Sequence, residues 1–112
     1  MPYKPTYNAL MATYCFDLDG TLCSTTGSDY ANSIPKRERI AKVNELTSDG
    51  HRVIIFTARG SSSGIDWMEV TKKQLDDWGV HHHELILGKP AADYYIDDKA
   101  VKDEDFFKGQ FA

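Results

Sequence analysis

Asp17-Leu18-Asp19-Gly20-Thr21 sets two carboxylates two residues apart, ahead of a glycine and a threonine. Asp97-Asp98 sets a second acidic pair late in the chain, and Thr57, Arg59 and Lys89 fall between the two. Carboxylates brought together without partners would repel one another unless a cation neutralised them. Oxygen ligands of this kind suit Mg²⁺, which keeps several waters and takes one or two carboxylates plus a substrate phosphate. One carboxylate can attack phosphorus and form an aspartyl-phosphate, splitting a hydrolysis into two steps. A second, two residues on, can serve the leaving oxygen as acid and then water as base. A threonine hydroxyl and a lysine ammonium can hold phosphoryl oxygens, over which transition-state charge spreads.

That chemistry requires elements that bring distant residues to one edge. Thr13 to Asp17 reads as a strand, rich in aromatic and β-favouring types, that ends in the acidic turn. A polar loop from Cys23 to Ser33 follows. Pro35 to about Asp49 reads as a helix, with Pro35 in its first turn, Gly50 as its stop, and Ile40, Val43 and Leu46 or Thr47 as its buried stripe. Arg52 to Thr57 is the clearest strand, and its unbroken apolar centre predicts burial on both faces, as in a parallel sheet. A loop at Arg59 to Gly64 precedes a second helix near Asp66 to Trp78, with Met68, Thr71, Leu75 and Trp78 on one face. Glu84 to Leu87 and Tyr94 to Ile96 complete the expected strands.

Strand–helix alternation predicts an α/β fold: a single Rossmann-like parallel sheet with helices on both faces. Its catalytic domain should span 13–112 behind an N-terminal tail, 1–12. Phe106, Phe107 and Phe111 should pack back on the core. In such a sheet ligands bind at the carboxyl ends of the strands. Asp17 and Asp19, Thr57, Lys89, and Asp97 with Asp98 are all expected at that edge.

Asp17 to Leu22 resembles the first signature of the haloacid dehalogenase superfamily of phosphatases. Phe56-Thr57-Ala58-Arg59 is similar to its second, Gly88-Lys89-Pro90 to its third, and Ile96-Asp97-Asp98 to its fourth, in the same order. The resemblance spans Tyr14 to Lys99. It implies Asp17 as nucleophile and metal ligand, and Asp19 as acid/base that offers its backbone carbonyl to Mg²⁺. It implies that Thr57 and Lys89 hold the phosphoryl group, and that Asp97 ligates the metal with Asp98 in support. Neither loop is long enough for the cap domain of larger relatives. The chain looks most like the short capless proteins found with bacterial surface-polysaccharide genes, which implies a small phosphorylated substrate such as a sugar phosphate.

Each residue also has a plainer reading. The acidic turn could be solvated, Thr57 an ordinary strand residue, Lys89 a surface lysine and Asp98 a helix N-cap. Arg59 either contacts substrate or pairs with an acid. His81-His82-His83 is a poor metal site, because consecutive extended residues point to opposite faces. A receiver-like phosphoacceptor domain uses similar residues, but with the acidic pair first and the lysine last. A nucleic-acid end phosphatase would fit an open site, yet the net charge of −4 and the lack of a basic stripe disfavour a nucleic-acid partner.

The 112 residues, 41% apolar and 27% charged, predict one soluble globular domain. No apolar run is long enough to span a membrane, and the first residues do not read as a signal peptide. Cys15, expected in a core strand, and Cys23 are read as reduced, which places the protein in the cytoplasm. An open, capless site predicts a homo-oligomer whose partner walls the substrate.

Overall fold

The computed structural model describes residues 11–109. Three parallel strands form its main sheet: β1 (Thr13–Phe16), β4 (Arg52–Thr57) and β5 (Glu84–Leu87), in the spatial order β1-β4-β5. Phe16 pairs with Ile55, and Thr57 with Leu87, so all three strands release their chains at the same edge. Two short strands, β2 (Cys23–Ser24) and β3 (Ile34–Pro35), pair antiparallel and bracket a polar loop that includes a single 3₁₀ turn at Tyr30–Asn32. Helices α1 (Arg37–Ser48), α2 (Met68–Asp77) and α3 (Asp103–Phe107) flank the sheet. The chain is therefore a single Rossmann-like α/β domain.

The stripe Ile40, Val43 and Leu46 recurs at the spacing of one helical face, and all three residues are buried. They join Phe16, Leu18, Leu22, Val53, Ile55 and Leu75 in one core. Full burial of such side chains stabilises by about 1.5–3 kcal/mol each. Helix α1 ends where Gly50 takes φ 98°, a conformation that favours glycine, and the Gly50 and His51 N–H groups return to the Thr47 and Leu46 carbonyls.

Several expectations need correction. Helix α1 begins two residues later than the sequence suggests, because Pro35 belongs to β3 and the Lys36 N–H is bound to the Leu22 carbonyl. Strand β4 is not equally buried on its two faces: Val53, Ile55 and Thr57 are buried, while Ile54 and Phe56 are half-buried. Cys15 is exposed and Cys23 is buried, the reverse of what a core β1 implied for Cys15, since Tyr14 and Phe16 turn the other face of β1 inward. Tyr94 to Ile96 forms no strand. The Tyr95 hydroxyl donates to the Pro90 carbonyl, and the Tyr95 ring lies under the Lys89 ammonium, so the segment folds back on itself. Tyr94 and Ile96 are left exposed.

Phe106 and Phe107 do pack back, against Phe16 at ring-centroid distances of 5.6 and 6.1 Å. Arg39 pins them from α1: it donates to Asp103 at 2.7 Å and lies over the Phe107 ring. Phe111 and the first ten residues of the expected tail lie outside the described residues. Among the described residues, no helix is long and apolar enough to cross a membrane.

Candidate active site

Asp17 follows β1 directly, Thr57 is the last residue of β4, and Lys89 stands two residues past β5. Parallel pairing therefore delivers them to one edge. The Lys89 ammonium lies 3.3 Å from Asp17 Oδ1, and its backbone N–H donates to the Thr57 carbonyl at 3.1 Å. Ser61 donates to the Lys89 carbonyl at 2.6 Å, a brace across the site that its place in a serine run did not announce. Asp17, Asp19, Thr57, Tyr30 and Tyr95 line a cavity of about 270 Å³.

Gly60 makes the turn after Thr57 possible. It takes φ 81°, and a Cβ there would overlap the Ile65 carbonyl oxygen, so only glycine fits. Thr57 is buried, and its hydroxyl oxygen accepts the Arg59 N–H at 3.2 Å. Its own hydroxyl proton is the donor it can offer a ligand.

Arg59 resolves its two readings in favour of an acid partner. Its side chain is 0% exposed. Nε donates to Asp19 Oδ2 and Nη2 to Asp19 Oδ1, each at 2.9 Å, a forked pair that fixes the carboxylate plane. Thr25 adds a 2.6 Å hydrogen bond to Oδ1, and the Cys23 thiol adds a longer one. Burial pushes the Asp19 pKa up, but the hydrogen bonds from Arg59, Thr25 and Cys23, together with the Arg59 charge, outweigh it. The carboxyl is held below its ordinary range. Burial pushes the Cys23 thiol up, which keeps it a neutral donor.

Asp97 and Asp98 do not join this group. Asp97 is fully exposed and takes the Lys99 N–H on its own Oδ1, a local turn rather than a contact across the site. Asp98 is exposed beside Lys99. Both were expected at the end of a fourth strand, and the fold-back at Pro90–Tyr95 leaves them without that strand. The described residues contain no group of three or more acidic, His or Cys side chains able to hold a metal, the His81–His83 run included. Mg²⁺ takes as few as one or two carboxylates besides waters and a substrate phosphate, and Asp17, whose side chain is 36% exposed, lines the cavity beside Asp19.

No family model matches the sequence, and no curated protein matches it significantly. Among solved structures, the chain is similar to parts of the Pnkp1/Rnl/Hen1 complex, described in one case as an RNA repair complex. Two structures match at 22% and 18% identity with TM-scores of 0.55 and 0.54, over 88% and 90% of this chain but only 33% and 30% of those chains. Those likenesses show a shared fold. A crystal structure of an MCSG target from Vibrio cholerae aligns at 32% identity with a TM-score of 0.77, over 87% of this chain and 88% of that one. With that identity sustained along nearly the whole of both chains, this protein belongs to the same family as the Vibrio cholerae protein.

Proposed function

We propose that the chain is a phosphomonoester hydrolase of the haloacid dehalogenase type, acting through an aspartyl-phosphate on a small phosphorylated metabolite such as a sugar phosphate. The supporting observation is the juxtaposition at the strand ends: a partly exposed Asp17 paired with Lys89, beside Asp19 and Thr57 around one small cavity. Asp17 attacks phosphorus, the P–O bond to the alcohol breaks, and the alcohol oxygen takes a proton from Asp19. Asp19 then takes a proton from water, the water oxygen attacks phosphorus, and the aspartyl P–O bond breaks to release phosphate. Asp19 rests ionised, which suits the second step. For the first it needs a proton delivered with the substrate, and a phosphate ester, with a second pKa of about 6, brings one near neutral pH. Thr57 and Lys89 bind phosphoryl oxygens where charge builds.

Mg²⁺ is the cofactor we propose, held by the Asp17 carboxylate and the Asp19 carbonyl. Bound there, it would neutralise charge on the phosphoryl oxygens. Asp97 and Asp98, as arranged, do not contribute to that site. Both cysteines are free, in keeping with the cytoplasmic setting we assign. The resemblance to surface-polysaccharide proteins makes sugar phosphates the first substrates to assay. A panel of phosphorylated metabolites with Mg²⁺, ranked by kcat/KM and including 5′- and 3′-phosphorylated oligonucleotides, tests the proposal. Turnover confined to the oligonucleotides would replace it with an end phosphatase, and no turnover of any ester would reject it.

Asp19→Asn is expected to cut the rate on a sugar phosphate by on the order of a hundredfold or more. The loss should be smaller on nitrophenyl phosphate, whose leaving group needs no proton. Asparagine keeps one acceptor for Arg59, so circular dichroism should show a folded protein with a lower Tm. Equal losses on the two esters would remove Asp19 from the acid/base role.

A cavity this small leaves the rest of a substrate uncovered, so we propose a homo-oligomer in which a second copy walls the site. Ile34, Ile65, Tyr94 and Ile96 are exposed apolar groups available for such contacts. Light scattering after size exclusion should give a mass at least twice 12.6 kDa. A monomer mass at micromolar concentration would end that part of the proposal.

A further inference from the structure

We infer that Arg59 is a positioning residue, which sets the orientation of the Asp19 carboxylate and ties it to helix α2 and to the loop between β2 and β3. The inference rests on the reading of Asp19 as acid and base. A fully buried guanidinium is costly unless every donor is matched. Here Nε and Nη2 are matched to the two Asp19 oxygens. Nη1 donates to Thr71 Oγ1 at 3.0 Å and to Gln74 Oε1 at 2.6 Å, both on α2. Nη2 also reaches Ser33 Oγ at 3.3 Å, and the Tyr30 ring covers the guanidinium carbon at 4.8 Å. Gln74 donates in turn to the Tyr30 carbonyl. Ser33 shares a 2.6 Å hydrogen bond with Thr25, which itself donates to Asp19.

The network is closed, and Asp19 is the carboxylate it presents to the cavity. A simple ion pair needs one contact and leaves the carboxylate free to turn. Here Arg59 engages both oxygens and Thr25 holds Oδ1 from a second direction, so the carboxylate has one orientation. Arg59 borders the cavity, but its side chain is 0% exposed and its N–H donors are taken by Asp19, Thr71, Gln74 and Ser33, so it offers a substrate no free donor. Lysine cannot substitute, because a point charge cannot fork across two oxygens.

The test compares Arg59→Lys and Thr25→Val with the parent protein on a sugar phosphate and on nitrophenyl phosphate. Thr25→Val removes one hydrogen bond to Asp19 while leaving the buried charge paired, so it reports even if Arg59→Lys fails to fold. Misplacing a reacting group by about 1 Å costs on the order of a hundredfold. Arg59→Lys should therefore lose roughly tenfold to a hundredfold in kcat on the sugar phosphate, with KM within about threefold. The loss on nitrophenyl phosphate should be much smaller. Thr25→Val should follow the same pattern with a smaller loss. Crystal structures of both variants supply a readout that needs no turnover: the Asp19 carboxylate should rotate in each. If the parent protein hydrolyses no ester, the phosphatase proposal falls, and the crystal structures still decide whether Arg59 orients Asp19. Equal losses on both esters, or an Asp19 carboxylate unmoved in the variants, would overturn the inference.

Discussion

Asp17→Asn should reduce hydrolysis of every ester by on the order of a thousandfold or more, because an amide cannot attack phosphorus. The substitution is nearly isosteric, and it removes a charge from a partly exposed position rather than from the core. Lys89 loses its carboxylate partner, but its ammonium also lies over the Tyr95 ring, 4.1 Å from the centroid, so it keeps one favourable contact. Circular dichroism and Tm should therefore stay close to the parent protein. Loss of activity with an intact fold separates the chemical role of Asp17 from a structural one. Activity within a few-fold of the parent would eliminate Asp17 as nucleophile. The effect should be the same for sugar phosphates and nitrophenyl phosphate, which distinguishes it from that of Asp19→Asn.

Chelation should have a comparably large effect. EDTA is expected to silence the protein, and excess Mg²⁺ to restore it. Ca²⁺ should restore little, because it prefers more ligands and longer bonds than the small octahedral Mg²⁺. The site makes this prediction sharp. Among the described residues no third acid joins Asp17 and Asp19, so binding should be weak without substrate and stronger with phosphate or a phosphate analogue present. Calorimetric titration of Mg²⁺ with and without inorganic phosphate measures the difference. Full activity in EDTA would reject the metal, and phosphate-independent tight binding would point to acidic ligands beyond Asp17 and Asp19.

Much of the positioning was legible in the chain itself because it depends on neighbours in sequence. The acidic turn after β1, the apolar run of β4 and the stripe of α1 are short-range patterns. They sort residues between sheet, helix and turn wherever the chain goes. Three parallel strands then force Asp17, Thr57 and Lys89 to one edge, since parallel pairing aligns all carboxyl ends. The Lys89–Asp17 pair follows from that rule.

What only the tertiary structure decided depends on which surfaces meet. Arg59 could have reached outward to a substrate or inward to an acid; its guanidinium pairs with an aspartate 40 positions away because α2 and the Tyr30 loop close over it. No local pattern encodes that closure. Exposure of Cys15 likewise depends on which face of β1 receives Phe106. Tyr94 to Ile96 has the residue types of a strand, but a strand also needs an edge to pair with. The contacts of Tyr95 with Pro90 and Lys89 hold that segment in a loop instead, and Asp97 and Asp98 stay in solvent with it. Composition records a preference for extended backbone, whereas pairing requires a free row of donors and acceptors at the right distance, and only the assembled fold supplies or withholds one.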